Sequence, residues 1–457
     1  MTSILIRQGR VIDPVNRVDA IFDLRVSDGK IEQLELTGRG GKVGPTVSEI
    51  DASGCWVVPG LIDPHVHLRD PGFPEKETIA SGLRAAAAGG FTTVAAMANT
   101  SPVNDTPEIT RYMLEQAARA HSARLVPVSA VTKGLRGEEL VDYRAMVAVG
   151  VRLFSDDGIP IDDRAVLARA IGEINALGFT ISLHEEDRAL TAGGAVNAGE
   201  IARRLGVPGV PASAEIARVS RDLAIAAERK ATVHVAHVSC AESLATIRIA
   251  RARGATVTCE ATPHHLILDD SAVLNHGPNA KMSPPLRQMS DVEAIDAGLG
   301  DGTIDMIATD HAPHDYASKQ MEQLAGFFGP GIAPPEPLPA GQASALTHAA
   351  NGVIGLETAL AVALQLVERA VISPERLVRL MSLNPARLLR LEAGTLSAGA
   401  AADITVIDPN LKWKVDPAKF LSKSRNCPFA GMELKGKAIL TMVGGEIVYD
   451  ARTGRLT

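Results

Sequence analysis

Short apolar runs alternate with longer amphipathic segments through the middle of the chain, a pattern typical of a parallel α/β architecture. The first run, residues 57–62, carries valine, leucine and isoleucine on both strand faces, as in a strand buried inside a sheet. Residues 77–89 then predict a helix, and residues 92–94 predict the next strand. Thr106-Pro107 matches a further helix start, a capping residue followed by proline at the first helical position.

Counting residues 57–62 as the first, the chain contains eight predicted strands separated by helical segments. The other seven lie at residues 92–94, 125–127, 151–154, 180–183, 233–236, 257–259 and 306–309. Eight strand–helix units predict a (β/α)8 barrel of the TIM type. A doubly wound sheet is the alternative, but no glycine-rich dinucleotide or phosphate loop follows any of these strands.

The two ends of the chain consist of short strands instead. Apolar runs lie at residues 4–6, 24–26, 31–34, 404–407, 440–443 and 446–448. Neither group has enough strands to bury a core alone, so we expect both to pair into one small β-sandwich domain. The predicted division is residues 1–56 and 396–457 for this β domain and residues 57–395 for the barrel.

Composition excludes several classes of protein. The 457 residues carry 46 basic and 53 acidic side chains, a formal net charge of −7, which argues against nucleic acid or an anionic membrane as partner. The four cysteines lack any C-x-x-C pair, so a thiolate zinc site or a disulfide framework is not expected. Charge interrupts the amino terminus before a signal-peptide core forms, and no apolar run is long enough to span a membrane. We therefore expect a soluble, cytoplasmic protein.

Two histidines, His65 and His67, directly follow the first predicted strand. In an extended backbone alternate side chains point the same way, so both can converge on one ion, whereas on a helix they would diverge. A bare H-x-H pair also fits two unrelated surface histidines, so a metal site needs further ligands. Residues just past the carboxyl ends of the strands share the mouth of a barrel, which is where we expect those ligands.

Four other strand ends supply ligand residues. They are Asp156 and Asp157 after the fourth strand, His184 after the fifth, His237 after the sixth and Asp310 after the eighth. Adjacent strand residues point in opposite directions, so we expect only one of the two neighbouring aspartates to ligate. Four histidines with two carboxylates form a ligand set for one or two divalent ions, and zinc fits an imidazole-rich site best.

Seven motifs along the chain form a combination specific enough to compare with known families. They span residues 63–72, 97–100, 154–158, 262–266, 284–287, 308–314 and 423–429. Together these motifs resemble those of the class I dihydroorotases, cyclic amidohydrolases of the metal-dependent amidohydrolase superfamily. The resemblance implies a metal-dependent barrel with a composite β domain from both termini, in agreement with the pattern of strands and helices.

The resemblance also implies roles for the ligand residues. His65, His67, His184, His237 and Asp310 correspond to metal ligands, and Asp157 corresponds to a carboxylate that bridges two metals. Related hydantoinases, allantoinases and other dihydroorotases carry a carboxylated lysine at the bridge. Residues 151–155 of this chain contain no lysine, which favours the class I dihydroorotases over the hydantoinase branch.

The implied reaction is the reversible hydrolysis of the cyclic amide of dihydroorotate to N-carbamoyl-aspartate, a step of pyrimidine biosynthesis. Asp310 would accept the proton of the attacking water and pass it to the leaving ring nitrogen. Arg69 suits the substrate carboxylate because its planar fork matches that group. Asn99 and His314 correspond to further substrate contacts. For Arg69, an ion pair with a neighbouring acidic residue is the alternative.

The complete set of substrate contacts implied by the resemblance is His67, Arg69, Asn99, Ser283, His314, Asn351 and Gly352. The family usually has asparagine at the position of Ser283, so we expect the shorter serine to weaken the contact with the pyrimidine ring. Residues 315–350 form a longer segment than the family has, with a lid, a partner surface and a disordered insertion as alternatives. Residues 329–339, rich in glycine and proline, predict a mobile loop.

Other functions compete with this one. A cyclic amidase acting on hydantoins, dihydropyrimidines or allantoin would not need Arg69 for a substrate carboxylate. A non-catalytic subunit that scaffolds aspartate carbamoyltransferase would have lost metal ligands, and all six are present here. A metal-storage protein would not need Arg69 beside Asp310. Scaffolding combined with catalysis, and assembly into a homo-oligomer, both remain open.

Overall fold

The computed structural model describes residues 3–37, 47–329 and 331–456, and the middle of the chain forms an eight-stranded barrel. The barrel strands are Leu61–Val66, Phe91–Ala96, Arg124–Ser129, Leu153–Phe154, Thr180–Leu183, Thr232–Val235, Thr256–Ala261 and Met306–Ile307. Each strand pairs in parallel with the next one along the chain. This order confirms the predicted (β/α)8 fold over the doubly wound alternative.

The barrel closes between its first and last strands. Val66 forms a parallel bridge with His311, and the His67 amide donates a hydrogen bond to the His311 carbonyl oxygen over 2.8 Å. Residues that follow the first and the eighth strand therefore lie side by side. Closure in this way brings Asp310 next to the His65 and His67 pair.

Strands from both ends of the chain form a separate nine-stranded sheet, which confirms the composite β domain. Its strands are Ser3–Asp13, Val18–Ser27, Lys30–Leu36, Val47–Asp51, Trp56–Pro59, Ile404–Lys414, Glu433–Val443, Glu446–Asp450 and Arg455–Leu456. Alternate apolar residues of these strands, Ile4, Ile6, Leu24 and Val406 among them, pack into a core of their own. This core buries the apolar face of the sheet, as in a β-sandwich.

Residues 57–62 do not form one strand, contrary to the sequence interpretation. Trp56–Pro59 pairs with Ser3–Asp13 and Ile404–Lys414 in the β domain, and the barrel begins only at Leu61. Gly60 separates the two strands, and a Cβ atom at this glycine would lie 2.2 Å from Thr92 Oγ1. The chain thus passes from one sheet to the other at the residue where no side chain fits.

α-Helices connect the strands and accompany the barrel. They are Ile79–Ala88, Pro107–Ala120, Tyr143–Ala148, Arg164–Ala176, Arg188–Thr191, Glu200–Leu205, Ser213–Arg229, Ala241–Ala252, Pro263–Ile267, Ala272–His276, Met289–Asp301, Ala340–His348, Ala359–Glu368, Pro374–Val378 and Asn384–Leu388. Thr78 caps the first of them through a reciprocal pair of hydrogen bonds with Ser81, and Thr106 precedes the second as predicted. In the described ranges no helix has the length and apolar content needed to cross a bilayer.

The long segment 315–350 packs against the barrel and ends in the helix Ala340–His348. Leu324, Leu338 and Leu346 of this segment are buried in a cluster with Leu205 and other apolar residues that surround the mouth. Residues 331–339 contain neither helix nor strand, and residue 330 of the predicted mobile loop lies outside the described residues. The mobility of this loop stays a prediction.

Candidate active site

Six predicted ligand residues from five strand ends surround one point at the mouth of the barrel. They are His65, His67, Asp157, His184, His237 and Asp310, and all are buried. The Asp157 carboxylate lies at the centre of this group. Its Oδ1 is 3.3 Å from His65 Nε2, 3.3 Å from His184 Nδ1 and 3.7 Å from His237 Nε2. Its Oδ2 is 3.4 Å from His67 Nε2.

Asp310 completes the group on the side of the first strand. Its Oδ1 lies 3.0 Å from His67 Nε2 and 3.5 Å from His65 Nε2. The two histidines therefore face both aspartates, as their shared direction on an extended backbone predicts. The neighbouring Asp156 does not join the group, because its carboxylate accepts hydrogen bonds from the backbone N–H groups of Val131 and Thr132. Only one of the two adjacent aspartates reaches the centre, as expected.

Outer hydrogen bonds fix the orientation of three imidazoles. His65 donates from Nδ1 to Glu260 over 2.7 Å, and His67 donates from Nδ1 to Asn99 Oδ1 over 2.8 Å. His184 donates from Nε2 to Glu186 over 2.9 Å. In each ring the other nitrogen faces the centre and is the atom available to a metal, which is the arrangement that metal-binding histidines use.

The donor set fits a divalent metal. Ligand atoms of His65, Asp157 and His237 lie within 4.8 Å of one another, and so do those of His65, His67 and Asp310. Among the described residues, His65 Nε2 and Asp157 Oδ1 are buried without a hydrogen-bond partner. Buried polar atoms of this kind need a partner, and a cation between the two groups would serve both.

The electrostatics of the group also favour positive charge. Burial opposes ionisation of Asp157, but the surrounding histidines outweigh it and hold the pKa of this carboxyl well below its usual range. Burial likewise opposes charge on His184, but hydrogen bonds to Asp157 and Glu186 raise its pKa to about 10. A proton therefore occupies His184 in the metal-free protein, and a binding cation would displace it.

Three site residues hold a left-handed backbone conformation. The φ angles are +59° at Arg69, +30° at His237 and +45° at Asp310. Residues other than glycine adopt this region at a cost of about 1–3 kcal/mol each, and such strain clusters at functional sites. The surrounding barrel must stabilise these conformations, which aim the three side chains into the mouth.

A cavity of about 240 Å³ adjoins the ligand group. All seven predicted substrate contacts line it, namely His67, Arg69, Asn99, Ser283, His314, Asn351 and Gly352. Glu186, which the sequence analysis missed, lines it as well. The residues expected to hold substrate thus share one chamber with the metal ligands.

Arg69 and His314 form one wall of this cavity. Arg69 donates from Nε to the Pro313 carbonyl oxygen over 3.2 Å, and its Nη2 lies 3.3 Å from His314 Nε2. Burial lowers the pKa of Arg69 to about 10, so the guanidinium stays charged at neutral pH. Burial and the charge of Arg69 lower the pKa of His314 to about 2, so this ring is neutral. Among the described residues Arg69 forms no ion pair, which argues against the alternative of a local salt bridge.

Ser283 lies on another wall of the cavity. Its hydroxyl donates to Glu186 Oε2 over 3.2 Å, and the same oxygen accepts the hydrogen bond from His184. Hydrogen bonds from His184 outweigh the opposing effect of burial and lower the pKa of Glu186 to about 2, so this carboxylate is ionised. Ser283 is therefore engaged with Glu186 at the position where the family usually places asparagine.

Several carboxylates that support the ligands escaped the sequence analysis. Glu260 lies in the strand Thr256–Ala261 and also accepts a hydrogen bond from His234 over 3.0 Å. Asp63 accepts hydrogen bonds from the backbone N–H groups of His65 and Thr309. A charged residue within an otherwise apolar barrel strand was the available signal for Glu260.

Comparisons with known proteins agree with the resemblance of the motifs. A family model described as dihydro-orotase-like matches residues 54–243, and an amidohydrolase family model matches residues 342–449. Relatives named dihydroorotase match nearly the whole chain. The one from Syntrophotalea carbinolica is 45% identical over 447 residues, 98% of this chain and 99% of that protein. The one from Desulforapulum autotrophicum is 46% identical over 440 residues, 96% and 97% of the two chains.

This chain belongs to the dihydroorotase family. Solved structures of other cyclic amidases share the dihydroorotase fold found here. The L-hydantoinase from Arthrobacter aurescens matches with a TM-score of 0.85 at 26% identity, covering 100% of this chain and 98% of that one. A dihydropyrimidinase from Brevibacillus agri matches with a TM-score of 0.81 at 22% identity, covering 98% and 95%. The likeness at this low identity concerns the fold, whereas the dihydroorotases are related through the sequence itself.

Proposed function

We propose that this protein catalyses the reversible hydrolysis of the ring amide of dihydroorotate to N-carbamoyl-aspartate, as the names of its relatives suggest. The observation that carries the proposal is the position of Arg69. A half-buried guanidinium that is charged at neutral pH lines the same 240 Å³ cavity as the ligand group. An arginine fork binds a carboxylate, which dihydroorotate has and simple hydantoins or dihydropyrimidines lack.

The metal in this proposal is zinc, as one or two ions per chain. His65, His67, Asp157, His184, His237 and Asp310 would hold it. When bound there, zinc would supply a hydroxide at neutral pH and would polarise the carbonyl group under attack. Imidazole and carboxylate donors with oriented lone pairs support this choice over hard cations such as magnesium, which prefer oxygen ligands alone.

The side chains of the site would carry out proton transfer and substrate binding. Asp310 Oδ1, 3.0 Å from His67 Nε2, would accept a proton from the attacking water and return it to the leaving ring nitrogen. Arg69 would bind the substrate carboxylate, with Asn99 and His314 beside it. In the opposite direction Asp310 would remove the proton from the carbamoyl nitrogen before the ring closes.

Position in the cavity supports roles for three further residues. Ser283, Asn351 and Gly352 line the chamber across from the ligand group and would contact the pyrimidine ring. His67 would contact substrate as well as metal. A cytoplasmic location, a homo-oligomer and a complex with aspartate carbamoyltransferase stay predictions from the sequence.

The test is hydrolysis of dihydroorotate by the zinc-loaded protein, measured by absorbance, with and without the carbamoyltransferase. We expect activity in the wild type and a loss of about 10²–10⁴-fold in Asp310→Asn, whose side chain cannot carry the proton. If the protein hydrolyses hydantoin or dihydrouracil but does not hydrolyse dihydroorotate, the proposed substrate is wrong. Equal activity of wild type and Asp310→Asn would refute the proposed proton carrier.

A further inference from the structure

Lys319 is fully buried although it belongs to the long segment that follows His314. Only 1% of its surface is exposed. Its Nζ donates to three backbone carbonyl oxygens, those of Lys281 at 3.1 Å, Ala350 at 2.8 Å and Gly352 at 2.8 Å. An ammonium group has three hydrogens to donate, one for each of these carbonyls, and burial lowers the pKa of Lys319 well below its usual range.

Lys281 is a second buried lysine in the same region. Its Nζ donates to the carbonyl oxygens of Thr347 and Ala349, both at 2.6 Å. Within the described ranges neither Lys281 nor Lys319 forms an ion pair with a carboxylate. Five carbonyl oxygens therefore accept hydrogen bonds from two buried amino groups, and four of those oxygens belong to residues 347–352.

The carbonyls that these lysines bind belong to two segments that reach the substrate cavity. One segment is residues 281–283, of which Ser283 lines the cavity, and the other is residues 347–352, of which Asn351 and Gly352 line it. The Gly352 amide also donates to the Lys281 carbonyl oxygen over 3.0 Å. Lys319 thus lies behind both segments and joins them through a single nitrogen atom.

The second segment in turn contacts His314. The Asn351 carbonyl oxygen accepts a hydrogen bond from His314 Nε2 over 2.8 Å. Gly352 has a φ of +131°, and a Cβ atom there would lie 2.6 Å from that of Ala312. A shift of this segment would therefore displace His314 and Ser283 together while leaving the metal ligands on their strands.

We propose that Lys319, assisted by Lys281, is a positioning residue that fixes residues 347–352 as a rigid wall of the substrate site. The long segment 315–350 would then act as a fixed support, neither a lid nor a free insertion. The inference rests on the proposed function for its kinetic consequences. Its structural content, a wall held by hydrogen bonds from two buried amino groups, can be tested without any substrate.

The test compares Lys319→Met with the wild type as zinc-loaded protein, because methionine has a similar volume and no donor. Lys419→Met serves as the matched control, since the Lys419 side chain is 83% exposed. We expect the KM for dihydroorotate to rise by about 10- to 100-fold while kcat changes by less than about 3-fold. Metal content should stay at the wild-type level. Hydrogen exchange of peptides that cover residues 347–354 should accelerate in this variant alone.

Exchange and kinetics give separate answers. Unchanged exchange at residues 347–354 would overturn the positioning role whatever the substrate, and so would a KM within about 2-fold of the wild type. If the wild-type protein does not hydrolyse dihydroorotate, the proposed function is refuted. The hydrogen-exchange result would then still show whether Lys319 fixes the wall. If Lys319→Met does not fold, Lys281→Met is judged by the same two criteria.

Discussion

The Glu260 carboxylate accepts a hydrogen bond from His65 Nδ1 over 2.7 Å, at a depth where both side chains are 1% exposed. A second imidazole, His234, donates to the other oxygen of the same carboxylate. Glu260 therefore holds the Nδ1 proton of His65 and leaves Nε2, which faces Asp157, as the nitrogen that can bind a metal. Carboxylates in this position commonly orient metal-binding histidines and increase their basicity.

Exchange of Glu260 for glutamine should weaken metal binding without changing a ligand. We expect the zinc affinity to fall by about 10- to 100-fold, because glutamine keeps the shape but presents no charge to His65. Competition with a chromogenic chelator measures this change directly. Asp13→Asn, at a buried carboxylate of the β domain, is the control. Equal affinity of Glu260→Gln and wild type would show that the outer carboxylate does not tune the site.

Arg69 should discriminate between substrates. In Arg69→Met we expect kcat/KM for dihydroorotate to fall by about 10- to 100-fold, the effect of losing hydrogen bonds to a charged group. Activity on dihydrouracil, which has no carboxylate, should change by less than about 3-fold. Steady-state assays with both compounds provide the comparison. A similar loss of activity on both compounds would show that Arg69 supports Asp310 and does not recognise the substrate carboxylate.

The pattern of apolar runs was sufficient to predict the barrel but not its starting point. Each of the eight runs contains part of a barrel strand because short apolar segments between helices favour a buried parallel sheet. The break at Gly60 escaped prediction because the residues on both sides are equally apolar. It depends on the side chain of Thr92, which only the folded barrel brings next to this glycine.

Side chains that contact the proposed metal could be predicted, whereas those that hold them could not. His65 lies at the carboxyl end of the first barrel strand and Asp310 follows the last one, so barrel geometry alone brings them together. Glu186 lies beyond a predicted ligand, where the strand pattern has already ended. Lys281 and Lys319 were not singled out because lysine is usually a surface residue, and their burial depends on carbonyl groups that sequence does not show.

Removal of metal should lower stability as well as activity. A ligand at a concentration about 100 times its Kd stabilises a protein by about 2.7 kcal/mol, which for a chain of this length corresponds to roughly 3 °C in Tm. We expect a chelator to lower Tm by this amount and added zinc to restore both Tm and activity. The control is Asp157→Asn, which should show little response to either treatment. A wild-type Tm that is insensitive to chelator and zinc would contradict a metal at this group.

Ser283 offers a test of how this chain binds the pyrimidine ring. Its hydroxyl is engaged with Glu186 at 3.2 Å, so it offers the ring little beyond van der Waals contact. Asparagine is longer and has both a donor and an acceptor. In Ser283→Asn we therefore expect the KM for dihydroorotate to fall by about 5-fold, the effect of one added hydrogen bond, with kcat unchanged. Ser283→Ala should leave KM within about 2-fold of the wild type, because it removes a bond to Glu186 and none to the substrate. A rise of KM in Ser283→Ala larger than this would instead assign the serine hydroxyl itself to the substrate.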